Sequence, residues 1–277
     1  MPETPVSLLL TLDLGNSRCK LRLWGAARED RPRSSLELAP DELVSTLVGM
    51  CDAERDLRHA AISSVGAHGL EAAVAELLRH RLGEGFLGTP DPGLEVATRE
   101  PERVGSDRLF AARGALELAP SSAIVIDAGT ALTVDALEVR ASASGRPRGR
   151  FLGGAIAPGP RLLARALAQG TARLGEIEPR AGARALGRDT REALEAGVVV
   201  GIRGAALELA RRVAEESGVD SRRVVLTGGS RELLLDPPLF TEHALEICAD
   251  LVHLGLRAAA LEALAVPAPA RGARGSP

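Results

Sequence analysis

The chain has no tyrosine, one tryptophan, four phenylalanines and a single lysine among its 277 residues. So few rings leave almost nothing on which bases could stack, which argues against a single-strand nucleic-acid platform. The formal net charge of −3 gives no general attraction to nucleic acid or to anionic membrane surfaces. Three cysteines, Cys19, Cys51 and Cys248, are far apart and odd in number, and the five histidines form no HxxxH or HExxH pair. A disulfide framework and a zinc site are therefore not expected. No stretch approaches the ~20 apolar residues that span a bilayer, and the N-terminus has no basic region ahead of its apolar run. The expectation is a cytoplasmic protein with no membrane or nucleic-acid partner.

What is present is an ordinary globular composition, 45% hydrophobic and 26% charged, on a chain long enough for one large domain or two modest ones. "SLLLTLDLG" and "CKLRLWG" read as two strands joined by a tight polar turn, with "SSLELAP" as a third. "PDELVSTLVGMCDA" has helical spacing, "HAAISSV" is a short buried strand, "AAVAELLRHRL" a helix and "GFLGT" a further short strand. Residues 88–104, with three prolines, read as a surface connection, followed by the helix "DRLFAARGALELAP". "SAIVIDAGTALTVDALEV" repeats the opening strand–turn–strand pattern, and 141–150 reads as a small basic hairpin loop. Long helical stretches follow around 160–170, 189–216 and 243–265, interrupted by the strand and glycine turn "RRVVLTGGS". The last residues, 267–277, have no apolar period and are expected to be a disordered tail.

The repeat is the strongest signal. In "LTLDLGNSRCKLRLW" and "IVIDAGTALTVDALE", Asp13 aligns with Asp127, Gly15 with Gly129 and Asn16 with Thr130 at a constant offset. One Asp-x-Gly turn is weak, since such pairs mark ordinary hairpins. Two copies embedded in matched strands describe two facing clamps. Glycine lets backbone N–H groups approach a phosphate, and an aspartate at a strand end can hold a cation directly or through water. A polyphosphate–metal complex held between two similar halves is an ATP site. No GxxxxGK[ST] or GxGxxG competes with this reading.

The paired hairpins resemble those of the actin-like ATPase and sugar-kinase superfamily. The order and spacing of "DLGNSRCK", "VGSDR" (104–108), "DAGTALTVDAL" (127–137), "LGGAIAPG" (152–159), "LGRDT" (186–190) and "LTGG" (226–229) resemble type III pantothenate kinases over about residues 8–262. The resemblance implies an α/β fold of two ribonuclease-H-like (actin-like ATPase) domains, 1–117 and 118–266. Each would be a mixed five-stranded-type sheet flanked by helices, with the nucleotide in the cleft between them. It implies ATP-dependent phosphorylation of the primary hydroxyl of pantothenate by a homodimer, with Mg²⁺ and a monovalent cation, K⁺ or NH₄⁺.

Residue by residue, the resemblance makes Asp107 the base for the pantothenate hydroxyl. Asp13, Gly15, Asn16, Ser17, Lys20, Thr130, Gly228 and Gly229 fall at ATP and phosphate positions, with Asp13 on the Mg²⁺ side. Asp127 falls at the monovalent-cation position. Gly105, Ser106, Arg108 and Thr190 fall at substrate positions, Thr190 across a dimer interface. The residues leave other readings open: Lys20 as a solvated strand residue, Asp107 and Arg108 as a helix start with a surface arginine, Thr190 as a helix N-cap, Asp135 as an outward strand residue. Where the family often carries a pocket tyrosine, this chain has Thr98. That departure leaves open a kinase of the same fold acting on another small hydroxy acid. A non-catalytic accessory homologue would be expected to have lost Asp13, Asp107 or Asp127, and all three are present.

Overall fold

The structure is a computed structural model that describes residues 7–25, 31–66, 68–141, 147–220, 222–235 and 239–265. The expected 267–277 tail and most of the tip of the 141–150 loop lie outside the described residues.

The apolar runs of the first repeat form β1 (Leu8–Leu14) and β2 (Cys19–Trp24), an antiparallel hairpin extended by β3 (Ser34–Leu38). Helix α1 (Leu43–Ala53) leads to β4 (Leu57–Ser64), which lies parallel to β1, so the sheet order is β3-β2-β1-β4. Helix α2 (His68–Leu82) follows. The second repeat rebuilds this topology. Strands β6 (Ala123–Ala128), β7 (Ala131–Arg140) and β8 (Arg148–Pro158) form an antiparallel meander, and β9 (Arg223–Thr227) joins β6 in parallel. The matched sequences therefore fold into matched sheets.

The strand count departs from five in each half. In the first sheet the fifth position is only an isolated bridge from Phe86 to Ala60, after a 3₁₀ turn over Gly83–Gly85, where "GFLGT" predicted a strand. Among the described residues the second sheet has six strands, in the order β10 (Ala244–Ile247), β9, β6, β7, β8 and β5 (Glu95–Val96). Strand β10 (Ala244–Ile247) occupies the start of the stretch expected to be helix 243–265, and the helix, α6, begins only at Leu251. Strand β5 (Glu95–Val96) lies inside the segment expected to be a plain surface connection and pairs with β8. Two residues are too few for a periodic signal, so nothing local announced it.

Helix α3 (Ser106–Leu118) and α6 (Leu251–Ala265) pack closely on each other between the two sheets. One buried cluster joins Leu9, Trp24 and Ala61 of the first sheet, Phe110 and Ala112 of α3, Val125, Phe151 and Val225 of the second sheet, and Leu251 and Leu256 of α6. Helix α5 (Thr190–Ser217) covers the other face of the second sheet, and α4 (Pro160–Gly170) packs against α5. No helix among the described residues is long and apolar enough to cross a membrane.

Candidate active site

The two Asp-x-Gly turns meet. Thr130 Oγ1 donates to Ser17 Oγ at 3.1 Å, bridging the turn of the first hairpin to the turn of the second. Each turn is closed by one bond from its glycine, Gly15 N–H to the Arg18 carbonyl at 3.2 Å and Gly129 N–H to the Ala131 carbonyl at 2.9 Å. Around them opens a cleft of about 860 Å³, lined by Asp13, Asn16, Lys20, Asp107, Asp127 and Gly229 among others.

Register explains the single lysine. Lys20 on β2 is the cross-strand partner of Asp13 on β1, and Ser63 on β4 is the partner on the other side. Residues at one register share a sheet face, so Lys20 stands beside Asp13 over the cleft. In the second sheet the same place is taken by Thr133, partner of Asp127.

Three aspartates share this space. Asp13 and Asp127 keep part of their surface open to the cleft but are otherwise enclosed by protein. Burial raises Asp13 from 3.8 to about 7; Lys20 opposes the shift, while Asp107 and Asp127 add to it. Burial raises Asp127 to about 6, again against Lys20 and with Asp107 and Asp135. Asp107 is raised by burial too, restrained by the Arg108 backbone N–H, which donates to its Oδ1 at 2.8 Å, and by the Arg108 charge. Carboxylates that repel one another in a confined polar cleft are poised to accept a cation.

The sequence that builds this cleft matches a known family. The profile of type III pantothenate kinases matches residues 9–212. The type III pantothenate kinase of Thermomicrobium roseum is 36% identical over 265 residues, covering 91% of this chain and 96% of that protein. The chain belongs to the type III pantothenate kinase family. The enzyme of that name from Halorhodospira halophila is 34% identical over 81% of this chain and 88% of its own. Among solved structures, the ROK hexokinase of Thermus thermophilus superposes with a TM-score of 0.51 at 14% identity, covering 93% of this chain and 99% of that one. At that identity it shows the two-domain actin-like kinase fold and nothing finer.

Within this pantothenate kinase family member, the cleft gathers most of the residues expected from sequence but not all. Asp13, Gly15, Asn16, Ser17, Lys20, Asp107, Asp127, Thr130 and Gly229 line it. Gly228 is buried behind them at φ +97°; a side chain there would collide with Ala128 backbone and with Asp127 Oδ1. Gly105 caps α3, and a Cβ on it would meet Asp107 Oδ1 at 2.6 Å, so glycine leaves that carboxylate room.

The Ser106 hydroxyl is spent on the fold. It lies 2.9 Å from Ser63 Oγ, accepts from Ser64 N–H at 3.0 Å, and is 3.1 Å from the Ser64 carbonyl. It anchors the start of α3, and hence Asp107, to the end of β4. Arg108 is no surface arginine, because its guanidinium is paired with Asp135, which is 2% exposed and so not an outward strand residue. Thr190 is exposed and away from the cleft lining, and Asp189 rather than Thr190 caps α5, accepting from Glu192 N–H at 2.8 Å.

Among the cleft residues that the sequence did not single out are Arg161 and Arg165 of α4, one helical turn apart. Arg161 is paired with Glu178 at 2.7 Å. The signal was available in the "APGPR" that continues the second clamp. Gly159 N–H donates to the Thr130 carbonyl at 3.0 Å, so α4 starts directly on the second turn.

Proposed function

We propose that this protein transfers the γ-phosphoryl group of ATP to the primary hydroxyl of pantothenate, giving 4'-phosphopantothenate, the first step of coenzyme A synthesis. The observation that carries the reading is the pair of Asp-x-Gly turns tied by the Thr130–Ser17 hydrogen bond, with Lys20 and three aspartates around one cleft. Phosphoryl transfer is mostly positioning and charge stabilisation, and this cleft offers both. Residues 1–117 and 118–266 are the two halves that grip the nucleotide.

Gly15, Asn16, Ser17, Thr130, Gly228 and Gly229 are the phosphate- and nucleotide-facing positions, and Lys20 puts a compact charge on the β- and γ-phosphates. Asp107 orients the acceptor hydroxyl and takes its proton. Its raised pKa brings it closer to a useful base than an ordinary aspartate. Arg108 faces the acceptor's carboxylate, with Gly105 and Ser106 shaping that end of the site. Thr190 reaches the acceptor site of a second copy in a homodimer. The setting is the cytoplasm, where ATP is plentiful.

Among the described residues no three His, Cys, Asp or Glu side chains converge into a metal cage. Mg²⁺ keeps several waters and is held by one or two carboxylates together with substrate phosphates, so a single carboxylate facing the cleft is enough. Asp13 would hold it, directly or through water. Bound with the nucleotide, Mg²⁺ neutralises charge on the phosphates. Asp127, whose Oδ1 lies with the Ala128 carbonyl against Gly228, offers the oxygen donors that suit a monovalent cation, K⁺ or NH₄⁺.

The test is an ADP-release assay with ATP, Mg²⁺ and K⁺, with and without pantothenate. Pantothenate-dependent turnover that falls ~10²- to 10⁴-fold in Asp107→Asn, with ATP binding intact, is the expected result. ATP binding without pantothenate turnover would shift the reading to a kinase for another small hydroxy acid. Thr98 favours that second reading, since it stands beside Gly153 of β8 with its buried hydroxyl lacking a partner among the described residues.

A further inference from the structure

Asp135 is a buried carboxylate that the phosphate turns do not use. It lies on β7 two residues past Thr133, facing Gly154 of β8, where a Cβ would stand 2.5 Å from Asp135 Oδ1. Glycine there makes the space that the carboxylate fills. Arg108 Nε donates to Asp135 Oδ1 at 3.2 Å and to Oδ2 at 3.1 Å, and Arg108 Nη2 also donates to Oδ1.

The Arg108 guanidinium carbon sits 5.4 Å from the centre of the Phe151 ring. The cation is thus held at its edge by Asp135, on its face by Phe151, and at its root by the first turn of α3, directly after Asp107. Among the described residues Nη1 has no hydrogen-bond partner, so one corner of the fork is uncommitted.

We propose that Asp135 is a positioning residue that acts through Arg108: it aims the free corner of the guanidinium and so sets where the acceptor's carboxylate binds relative to Asp107. Because Asp135 neutralises the arginine, the acceptor carboxylate is recognised by a directed hydrogen bond more than by bare charge. With Asp135 gone, Arg108 loses its anchor and is free to turn onto its neighbour Asp107. The inference rests on the reading of Arg108 as the acceptor-carboxylate ligand.

The experiment compares steady-state kinetics of the full chain as Asp135→Asn, Asp135→Glu, Arg108→Gln and the Asp135→Asn/Arg108→Gln double variant. Pantothenate and its alcohol analogue, in which CH₂OH replaces the carboxylate, are the acceptors. Asp135→Asn is expected to raise the pantothenate KM by roughly 10- to 100-fold while the ATP KM stays put, and to erase most of the preference for pantothenate over the alcohol. Asp135→Glu should recover part of both. The double variant should be no worse than Arg108→Gln alone, since both changes remove one device. It also lacks the buried unpaired charge, so it serves if Asp135→Asn does not fold.

Losses that multiply in the double variant, or ATP and pantothenate KM rising together, would overturn the proposal. An impaired Arg108→Gln beside a wild-type Asp135→Asn would overturn the role of Asp135 and leave the role of Arg108 standing. A wild-type Arg108→Gln would overturn both.

Discussion

At the scale of the residue, the site is governed by how three aspartates share one cavity. Asp13 and Asp127 bind more protons folded than unfolded between about pH 4 and about pH 7 and 6 respectively. Each therefore contributes stability at low pH that is lost as pH rises through its folded pKa. Buried His253 acts in the opposite sense. Its pKa is lowered well below 6.5 by burial and by Arg22 and Lys20, so its contribution is lost as pH falls below 6.5. Comparing a variant with the parent isolates one group. Asp13→Asn should gain stability over the parent progressively from pH 4 to pH 7 in ligand-free protein, by on the order of 1 kcal/mol or more at the top of that range. The difference should shrink or reverse with Mg²⁺ and ATP present, because a cation favours the ionised parent. Thermal melts at fixed salt read both; a difference that does not change with pH would mean that the carboxylate is ordinary.

Lys20 gives a second prediction at this scale. It is the one cleft cation placed beside Asp13 by strand register. Lys20→Ala should weaken nucleotide binding or slow transfer, and should raise Asp13 further by removing the charge that opposes its shift. Lys20→Arg should restore charge but not shape, because a planar fork is not a compact ammonium. Wild-type kinetics in Lys20→Ala would return the residue to a solvated place on its strand.

At the scale of the element, α3 carries Asp107 and is fixed at both ends of its role. Ser106 pins its start to β4, and its body lies against α6 with glycines at the contact. A Cβ on Gly114 would stand 2.1 Å from the Leu251 carbonyl, and one on Gly255 would stand 2.0 Å from the Phe110 carbonyl. The helices are closer than any side chain allows. Gly114→Ala or Gly255→Ala should therefore destabilise by about 1–3 kcal/mol or more through overpacking, against the usual gain from replacing a helical glycine. The midpoint of urea unfolding measures it, and a gain would show that the helices can part at no cost.

Elements also show what the sequence could and could not say. The hairpins were legible because two strands, a fixed turn and a repeat reinforced one another. Strand β10 was not, because "ALEI" is as good a helix as a strand and its neighbour α6 is Ala/Leu-rich; parallel pairing to β9 decided it. The partner of Arg108 was hidden for a different reason. Asp135 reads as a polar residue on an alternating strand, and only the closure of β8 over it, with Gly154 giving way, makes it buried.

At the scale of the molecule, the two sheets are joined by buried contacts as well as by the chain. Arg22 of β2, 5% exposed, donates to Asp250 at 2.6 Å just ahead of α6, and Trp24 Nε1 donates to Thr11 Oγ1 at 2.8 Å, which lies 2.9 Å from His253 Nδ1 of α6. The last helix among the described residues thus ties into the first sheet. Because one buried cluster draws on both sheets, α3 and α6, the halves should unfold together. Trp24 is the chain's one tryptophan and sits at that junction, so its fluorescence reports the first sheet while far-UV dichroism reports the whole. The two denaturation curves should coincide. Nucleotide with Mg²⁺ should shift both equally, by about 2.7 kcal/mol at a hundredfold excess over Kd, because the ligand binds only where both clamps are in place. A fluorescence change that precedes the dichroism, or a nucleotide shift confined to one probe, would mean that the halves fold independently. The Thr130–Ser17 bridge would then be a contact that the nucleotide assembles, not one that it finds.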